Sequence, residues 1–161
     1  MRADLRAAEQ RACALVGTVE HRDLGPLRAV ETVAFARACG ETDPRLLDPQ
    51  SASFEVHPLY LPSQLRGPDG GVAGDYRADG MFRDEVPGTD GLDVRLMAGG
   101  QTITFHRPVR IDDPITVRRV LDTVERKGKP GSEFLLLTVS KTYRARRAGD
   151  LATVIERFIV R

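Results

Sequence analysis

Apolar and polar positions alternate most regularly in the last third of the chain. Along Gln101–Arg107, Ile103 and Phe105 fall on one face and Thr102, Thr104 and His106 on the other, the period-two signature of a strand with one face in a core. Ile115–Val124, Phe134–Tyr143 and Leu151–Val160 are further runs rich in β-branched and aliphatic residues. Lys129-Pro130-Gly131 and Ala148-Gly149-Asp150 are hairpin turn signals between them. Four long strands in a meander are expected, forming one twisted antiparallel sheet.

The first half changes period. Ala3–Leu15 carries Leu5, Ala8, Ala12 and Leu15 on one side of a helix, and Val16–Leu27 then reads as a first strand broken at Gly25-Pro26. Val30–Gly40 is a second helix, with Val30, Val33, Ala34, Phe35 and Ala38 as its apolar side and Glu31 in its first turn, where the helix dipole favours a carboxylate. Gly40 is placed to end that helix in the left-handed conformation, and Pro44 to bar its continuation. A turn-rich stretch, Arg45–Ser53, follows. Pro58 then suits the first turn of a short helix reaching Leu65, with Leu59, Tyr60 and Leu65 facing a core.

From Arg66 to Gly91 glycine and aspartate dominate, and no regular structure is expected. Long loops inside compact domains are usually functional or mobile. Residues 66–98 therefore read as a flap over a pocket or interface, within one domain spanning residues 1–161. The sheet has to cover its apolar face, and the Val30–Gly40 and Pro58–Leu65 segments are the elements expected to do so. The fold class is α+β.

Composition narrows the function. The chain has 161 residues, 41% of them apolar and 29% charged, with a net charge of +1. That balance supplies no overall pull toward nucleic acid or an anionic membrane. No apolar run approaches the roughly 20 residues of a membrane span. The first ten residues are polar and lack a signal-peptide core, so a cytoplasmic protein is expected. Cys13 and Cys39 read as buried free thiols in a reducing compartment. Metal-ligand spacing, a phosphate loop and a serine elbow are all missing from the sequence. What remains as candidate chemistry is the acidic turn Glu41-Thr42-Asp43 and the histidines. Of these, His57 lies at a helix start, His106 fits a hydrogen bond across the sheet, and His21 fits the surface.

Three stretches resemble the MaoC-like (R)-specific hydratase and dehydratase family, in its MaoC N-terminal or FAS1-type dehydratase branch. Phe35-Ala-Arg-Ala-Cys-Gly-Glu-Thr-Asp-Pro44 resembles the hydratase signature Gly-Asp-x-Asn-Pro-x-His. Gly100-Gln101-Thr-Ile-Thr-Phe-His-Arg-Pro-Val109, with Asp112-Asp113-Pro-Ile-Thr-Val117, resembles the family's Gln-x-Phe-x-x-x-Arg-Pro-Val and Gly-Asp-x-Leu-x-Val strand pair. Gly149-Asp-Leu-Ala-Thr-Val154 resembles the closing hairpin. The resemblance implies a hot-dog fold, a twisted antiparallel sheet wrapped on a short central helix. It implies reversible syn addition of water to a trans-2-enoyl thioester, without cofactor or metal. The substrate would be carried on coenzyme A or an acyl carrier protein, and two hot-dog units would pair as a homo- or heterodimer.

That chemistry needs a base and an acid converging on one water, and a donor for the thioester oxygen. In the family an Asp and a His of the signature supply the first two, and a backbone N–H at the central helix supplies the third. Here the signature Asp corresponds to Glu41, the signature Asn to Asp43, and the signature His to Leu46. The glycine that follows His in the family corresponds to Pro58, which has no N–H. The resemblance implies catalytic roles for Glu41 and His57 if the chain works alone. It places Phe35, Asp43, Leu46, Pro58, Leu59, Tyr60, Gly100 and Gln101 along the substrate. Three functions stay open: an acyl-binding half completed by a catalytic hot-dog partner, a self-sufficient hydratase using Glu41 and His57, and a hot-dog thioesterase using Glu41 to activate water.

Overall fold

The computed structural model describes residues 3–64 and 71–161. Its elements are α1 (Ala3–Leu15), β1 (Val19–Gly25), α2 (Ala29–Ala38), α3 (Pro44–Leu47), α4 (Tyr60–Ser63), β2 (Leu96–Phe105), β3 (Ile115–Lys127), β4 (Phe134–Ala145) and β5 (Gly149–Val160). Leu65 and residues 66–70 of the expected flap lie outside the described residues. No helix among the described residues is long and apolar enough to cross a membrane.

All five strands form one antiparallel sheet in the order β1-β3-β4-β5-β2. The meander expected from the sequence holds only for β3, β4 and β5. Strand β2 pairs with β5 instead of with β3, from Leu96 opposite Val160 to Phe105 opposite Ala152. The Arg107–Pro114 connection carries prolines at both ends, offers no tight turn, and crosses the sheet to the far side of the meander. Strands β1 and β2 are therefore the two edges.

One face of the sheet is covered. On β4 the residues at odd positions, Leu135, Leu137, Val139, Tyr143 and Ala145, are all buried. Over one half of this face lie Val33 of α2, Phe54, Val56, and Tyr60 and Leu61 of α4, packed on Ile115, Val117, Tyr143, Leu151 and Val154. Over the other half lie Leu5, Ala8 and Ala12 of α1, with Val86 and Val94 from the segment before β2. The expectation that α2 and α4 alone cover the sheet is corrected here. Helix α4 is a single turn ended near Pro62 and reaches only half of the sheet, so α1 and the flap fill the rest.

Helix α2 also turns a different side inward than its composition suggests. Thr32, Val33 and Ala36 are buried, while Val30 is 74% exposed and Ala34 and Ala38 face solvent. Thr32 fits the interior because its hydroxyl donates to the Ala29 carbonyl at 2.9 Å. Pro44 does not merely stop a helix but starts α3, with Asp43 as its cap. Leu15 and Leu59 are exposed, against expectation, because each sits at an element end beyond the covered face. Cys13 and Cys39 are free thiols but exposed. Cys13 follows the buried Ala12 and so leaves the inward stripe of α1, and Cys39 caps the end of α2.

Candidate active site

The end of α2 places Glu41. Gly40 takes φ +78°, its N–H donates to the Arg37 carbonyl at 3.0 Å, and the Glu41 N–H donates to the Ala36 carbonyl at 3.1 Å. This pair of bonds satisfies the helix's last carbonyls and turns the chain sharply, so that the Glu41 side chain returns toward the helix end. A second segment comes up beside it. The Val56 N–H donates to the Val109 carbonyl at 3.2 Å, and both side chains are buried. The next residue, His57, is 9% exposed.

Glu41 and His57 meet, with Oε1 3.2 Å from Nε2. His57 Nδ1 accepts from the Leu59 N–H at 3.2 Å, which puts the proton of the neutral ring on Nε2, facing the carboxylate. The ring edge meets Phe35 at 5.4 Å between centroids, and Phe35 in turn meets Tyr60 at 5.3 Å, both T-shaped. These aromatic contacts and the Leu59 bond hold the imidazole in one orientation. The neutral ring then has no lone pair left for water. Glu41, whose side chain is 35% exposed, retains a second carboxylate oxygen for it.

The donors near His57 are also spent. Pro58 has no N–H, the Leu59 N–H is bound to His57 Nδ1, and the Tyr60 N–H donates to the His57 carbonyl at 2.9 Å. The three residues after His57 thus offer no free backbone donor for a developing oxyanion. His57 acts instead as the cap of that turn.

Tyr60 is 4% exposed, and its hydroxyl donates to Glu31 Oε2 at 3.3 Å. Arg28 pairs with the same carboxylate. Burial, and then the Glu31 charge, push the Tyr60 phenol up to about 12. A raised pKa means that the folded state holds the proton longer than the unfolded chain. Tyr60 therefore contributes stability that is complete below the ordinary tyrosine range near pH 10 and is lost as pH rises through about 12. Tyr60→Phe is expected to weaken the fall in unfolding free energy between pH 9 and 11.5, measured by urea titration. An unchanged fall would remove Tyr60 as its source.

The other candidates divide. Phe35, Tyr60, Glu41 and His57 come together. Pro58 lines a groove of about 320 Å³ with Glu55, Val56, Phe105, Arg107 and Val109, beside the His57 turn. Asp43 is engaged locally: it caps α3 by accepting from the Arg45 N–H at 2.9 Å and binds the Arg45 guanidinium at 2.7 Å, which holds its carboxyl below the usual range. Leu46 is half-buried on α3 and Leu59 is 49% exposed. Gly100 and Gln101 lie on the outer edge strand β2, where Gln101 donates to Glu156 at 3.0 Å. His106 pairs across the sheet with Thr153 at 2.9 Å, and His21 is exposed. Among the described residues no cluster of three His, Cys, Asp or Glu side chains has metal-binding geometry. A larger cavity, about 600 Å³, lies between Leu5, Arg95, Met97, the Gly131–Glu133 turn and Arg161, and no candidate residue reaches it.

An antiparallel sheet of five strands with helices over one face is the hot-dog architecture. The model of the FAS1-like dehydratase domain region matches residues 14–154, and the chain belongs to that family. A comparison with curated protein sequences found no match. Among solved structures, a chain of the ChsH1–ChsH2 complex from Mycobacterium tuberculosis superposes with a TM-score of 0.65 at 14% identity, over 98% of this chain and 90% of that one. The (R)-hydratase from A. caviae involved in PHA biosynthesis gives 0.58 at 22% identity, over 89% and 94%. The HadBC (3R-hydroxyacyl-ACP dehydratase) complex, also from M. tuberculosis, gives 0.56 at 15% identity, over 90% and 96%. At these identities the likeness is one of fold.

Proposed function

We propose that the chain is the acyl-binding half of an (R)-3-hydroxyacyl-thioester dehydratase, equally an enoyl-thioester hydratase, completed by a second hot-dog subunit that supplies Asp and His. The observation that carries this reading is the exhausted donor and acceptor set around His57. Both ring nitrogens face protein groups, and the first three positions after it have no N–H to give. Hydration of an enoyl thioester needs both a free base and an oxyanion donor. The ten-residue edge strand β2, exposed along nearly all its length, fits pairing with a second sheet. The likeness to chains from two-subunit assemblies agrees with it. The substrate would be an acyl group on coenzyme A or an acyl carrier protein, with Phe35, Tyr60 and Pro58 along its path.

One observation favours a second reading. Glu41 and His57 are in contact, and the Glu41 side chain is 35% exposed, so a homodimer could use Glu41 as base for hydration, or for thioester hydrolysis. Hydration of crotonyl-coenzyme A, followed at the enoyl-thioester absorbance, separates the two. The chain alone is expected to be inactive, and addition of a hot-dog partner bearing the full signature is expected to restore turnover. Glu41→Gln in that complex is expected to keep activity within about twofold. Turnover by the purified chain alone, reduced by about 10²-fold or more in Glu41→Gln, would instead establish Glu41 as the base.

A further inference from the structure

A band of polar side chains crosses the middle of the covered face, one from each strand. Gln101 on β2 donates to Glu156 Oε1 on β5 at 3.0 Å, and Glu156 Oε2 makes a charge contact of 2.7 Å with Lys141 Nζ on β4. Arg119 on β3 stands opposite Lys141, and Glu20 on β1 stands opposite Arg119 and accepts from it at 3.0 Å. The band separates Tyr143 and Ala145 in one apolar cluster from Leu135, Leu137 and Val139 in the other. The side chains of Lys141 and Arg119 are only 3% and 7% exposed. Charges this deep are costly unless paired, and apolar residues of similar volume would hold the sheet at least as well.

A segment outside the sheet also pairs with these cations, and with β1, where Arg22 donates to Asp84 Oδ2 at 2.9 Å. Lys141 Nζ donates to Glu85 Oε1 at 3.0 Å, and the Arg119 guanidinium donates to the main-chain carbonyls of Asp84, at 3.4 Å, and Glu85. Next to these contacts Val86 is 1% exposed among Leu135, Leu137 and Phe158. Gly88 then lies so close to α1 that a Cβ there would stand 2.6 Å from the Ala12 nitrogen, and Arg11 donates to the Asp90 carbonyl at 3.0 Å. Residues 84–90 are thus tied to α1 by close packing and to the sheet by charge.

We infer that Glu85, Lys141 and Arg119 form a latch that holds residues 84–90 as a strap across the sheet, and that strap and α1 open together as one local unit when the latch is broken. Each cation has partners on both the strap and the sheet: Lys141 meets Glu85 and Glu156, and Arg119 meets the Asp84 and Glu85 carbonyls and Glu20. When Glu85 leaves, Lys141 keeps Glu156 and Arg119 keeps Glu20, so the sheet is not left with a bare charge. The strands themselves are held by ladders in which the strap has no part. Segments of this kind open below the free energy of global unfolding.

Hydrogen exchange of the full chain, read by mass spectrometry, tests the latch. Glu85→Gln removes the strap's ionic partner of Lys141 and leaves the Lys141–Glu156 contact and the Arg22–Asp84 pair in place. Amides of residues 85–94 and of α1 are expected to exchange about tenfold or more faster, with β4 and β5 unchanged within about twofold. Glu156→Gln, which removes the sheet-side partner and leaves the Lys141–Glu85 pair, is expected to leave the strap's exchange unchanged within the same margin. Equal acceleration across β4 and β5, an unaltered strap in Glu85→Gln, or a strap that opens while α1 stays protected would each overturn the proposal. So would failure of Glu85→Gln to fold, since the band would then be holding up the sheet itself.

Discussion

Leu61→Ala is expected to lower the unfolding free energy by about 2–5 kcal/mol, the range for deleting a fully buried leucine. Leu61 is 0% exposed and sits in the single turn of α4, among the residues that cover half of the sheet. A cavity there is bounded by the sheet beneath and by α2 beside it, and neither can collapse far without moving its own core residues. For a chain of this size the melting temperature would fall by roughly 2–4 °C per kcal/mol. Urea unfolding measures the loss directly. A change below about 1 kcal/mol would mean that α4 settles into the void, and the His57 turn would then be adaptable instead of rigid.

Gly88→Ala is expected to cost about 2 kcal/mol or more, from two separable sources. Its φ of +80° is left-handed, which costs a residue with a Cβ roughly 1–2 kcal/mol. The new Cβ would also stand 2.6 Å from the Ala12 nitrogen and 3.0 Å from its Cα, backbone atoms that yield only if α1 moves. Gly131→Ala is the control, since Gly131 has φ +88° but open space around it, so only the conformational cost applies there. If the two variants lose the same stability, the approach of residues 84–90 to α1 is looser than the distance implies. If Gly88→Ala loses more, the helix and the strap are packed as one piece.

Three of the strands were legible as runs of β-branched and aliphatic residues and one, Gln101–Arg107, by alternation. That last strand runs instead over Leu96–Phe105, starting inside the expected flap, and on this edge strand Phe105 is exposed and not in the core. Phe134–Tyr143 and Leu151–Val160 lie within β4 and β5 as found, which run two residues further at one end in each case. The order of those strands was not legible. Pairing of β2 with β5 depends on where a proline-bounded connection goes, and the local pattern of β2 is the same beside either neighbour. The inward side of α2 was misread for a related reason. Val30, Ala34 and Ala38 are apolar and helical in spacing, but α2 packs with Thr32, Val33 and Ala36 inward.

The site was half legible. An acidic turn after a helix and a histidine at the start of a turn marked Glu41 and His57, and the fold brings them to 3.2 Å. The hydrogen bond from Leu59 to Nδ1, which decides what the imidazole can do, is a matter of backbone geometry with no trace in residue type. The polar band was overlooked although it left a signal. Lys141 occupies the inward phase of β4, between Val139 and Tyr143, where the alternation calls for an apolar residue.

What the sequence determined by itself is the longer helices, most of the strands and the family, because hydrophobic periodicity, turn residues and motif spacing are local properties written in order along the chain. The tertiary structure alone decided which elements cover the sheet, which side chains share a proton or a charge, and which backbone donors remain free. Those outcomes depend on contacts between residues tens of positions apart, such as Lys141 with Glu85, and on directions that a side chain takes only once its neighbours are in place.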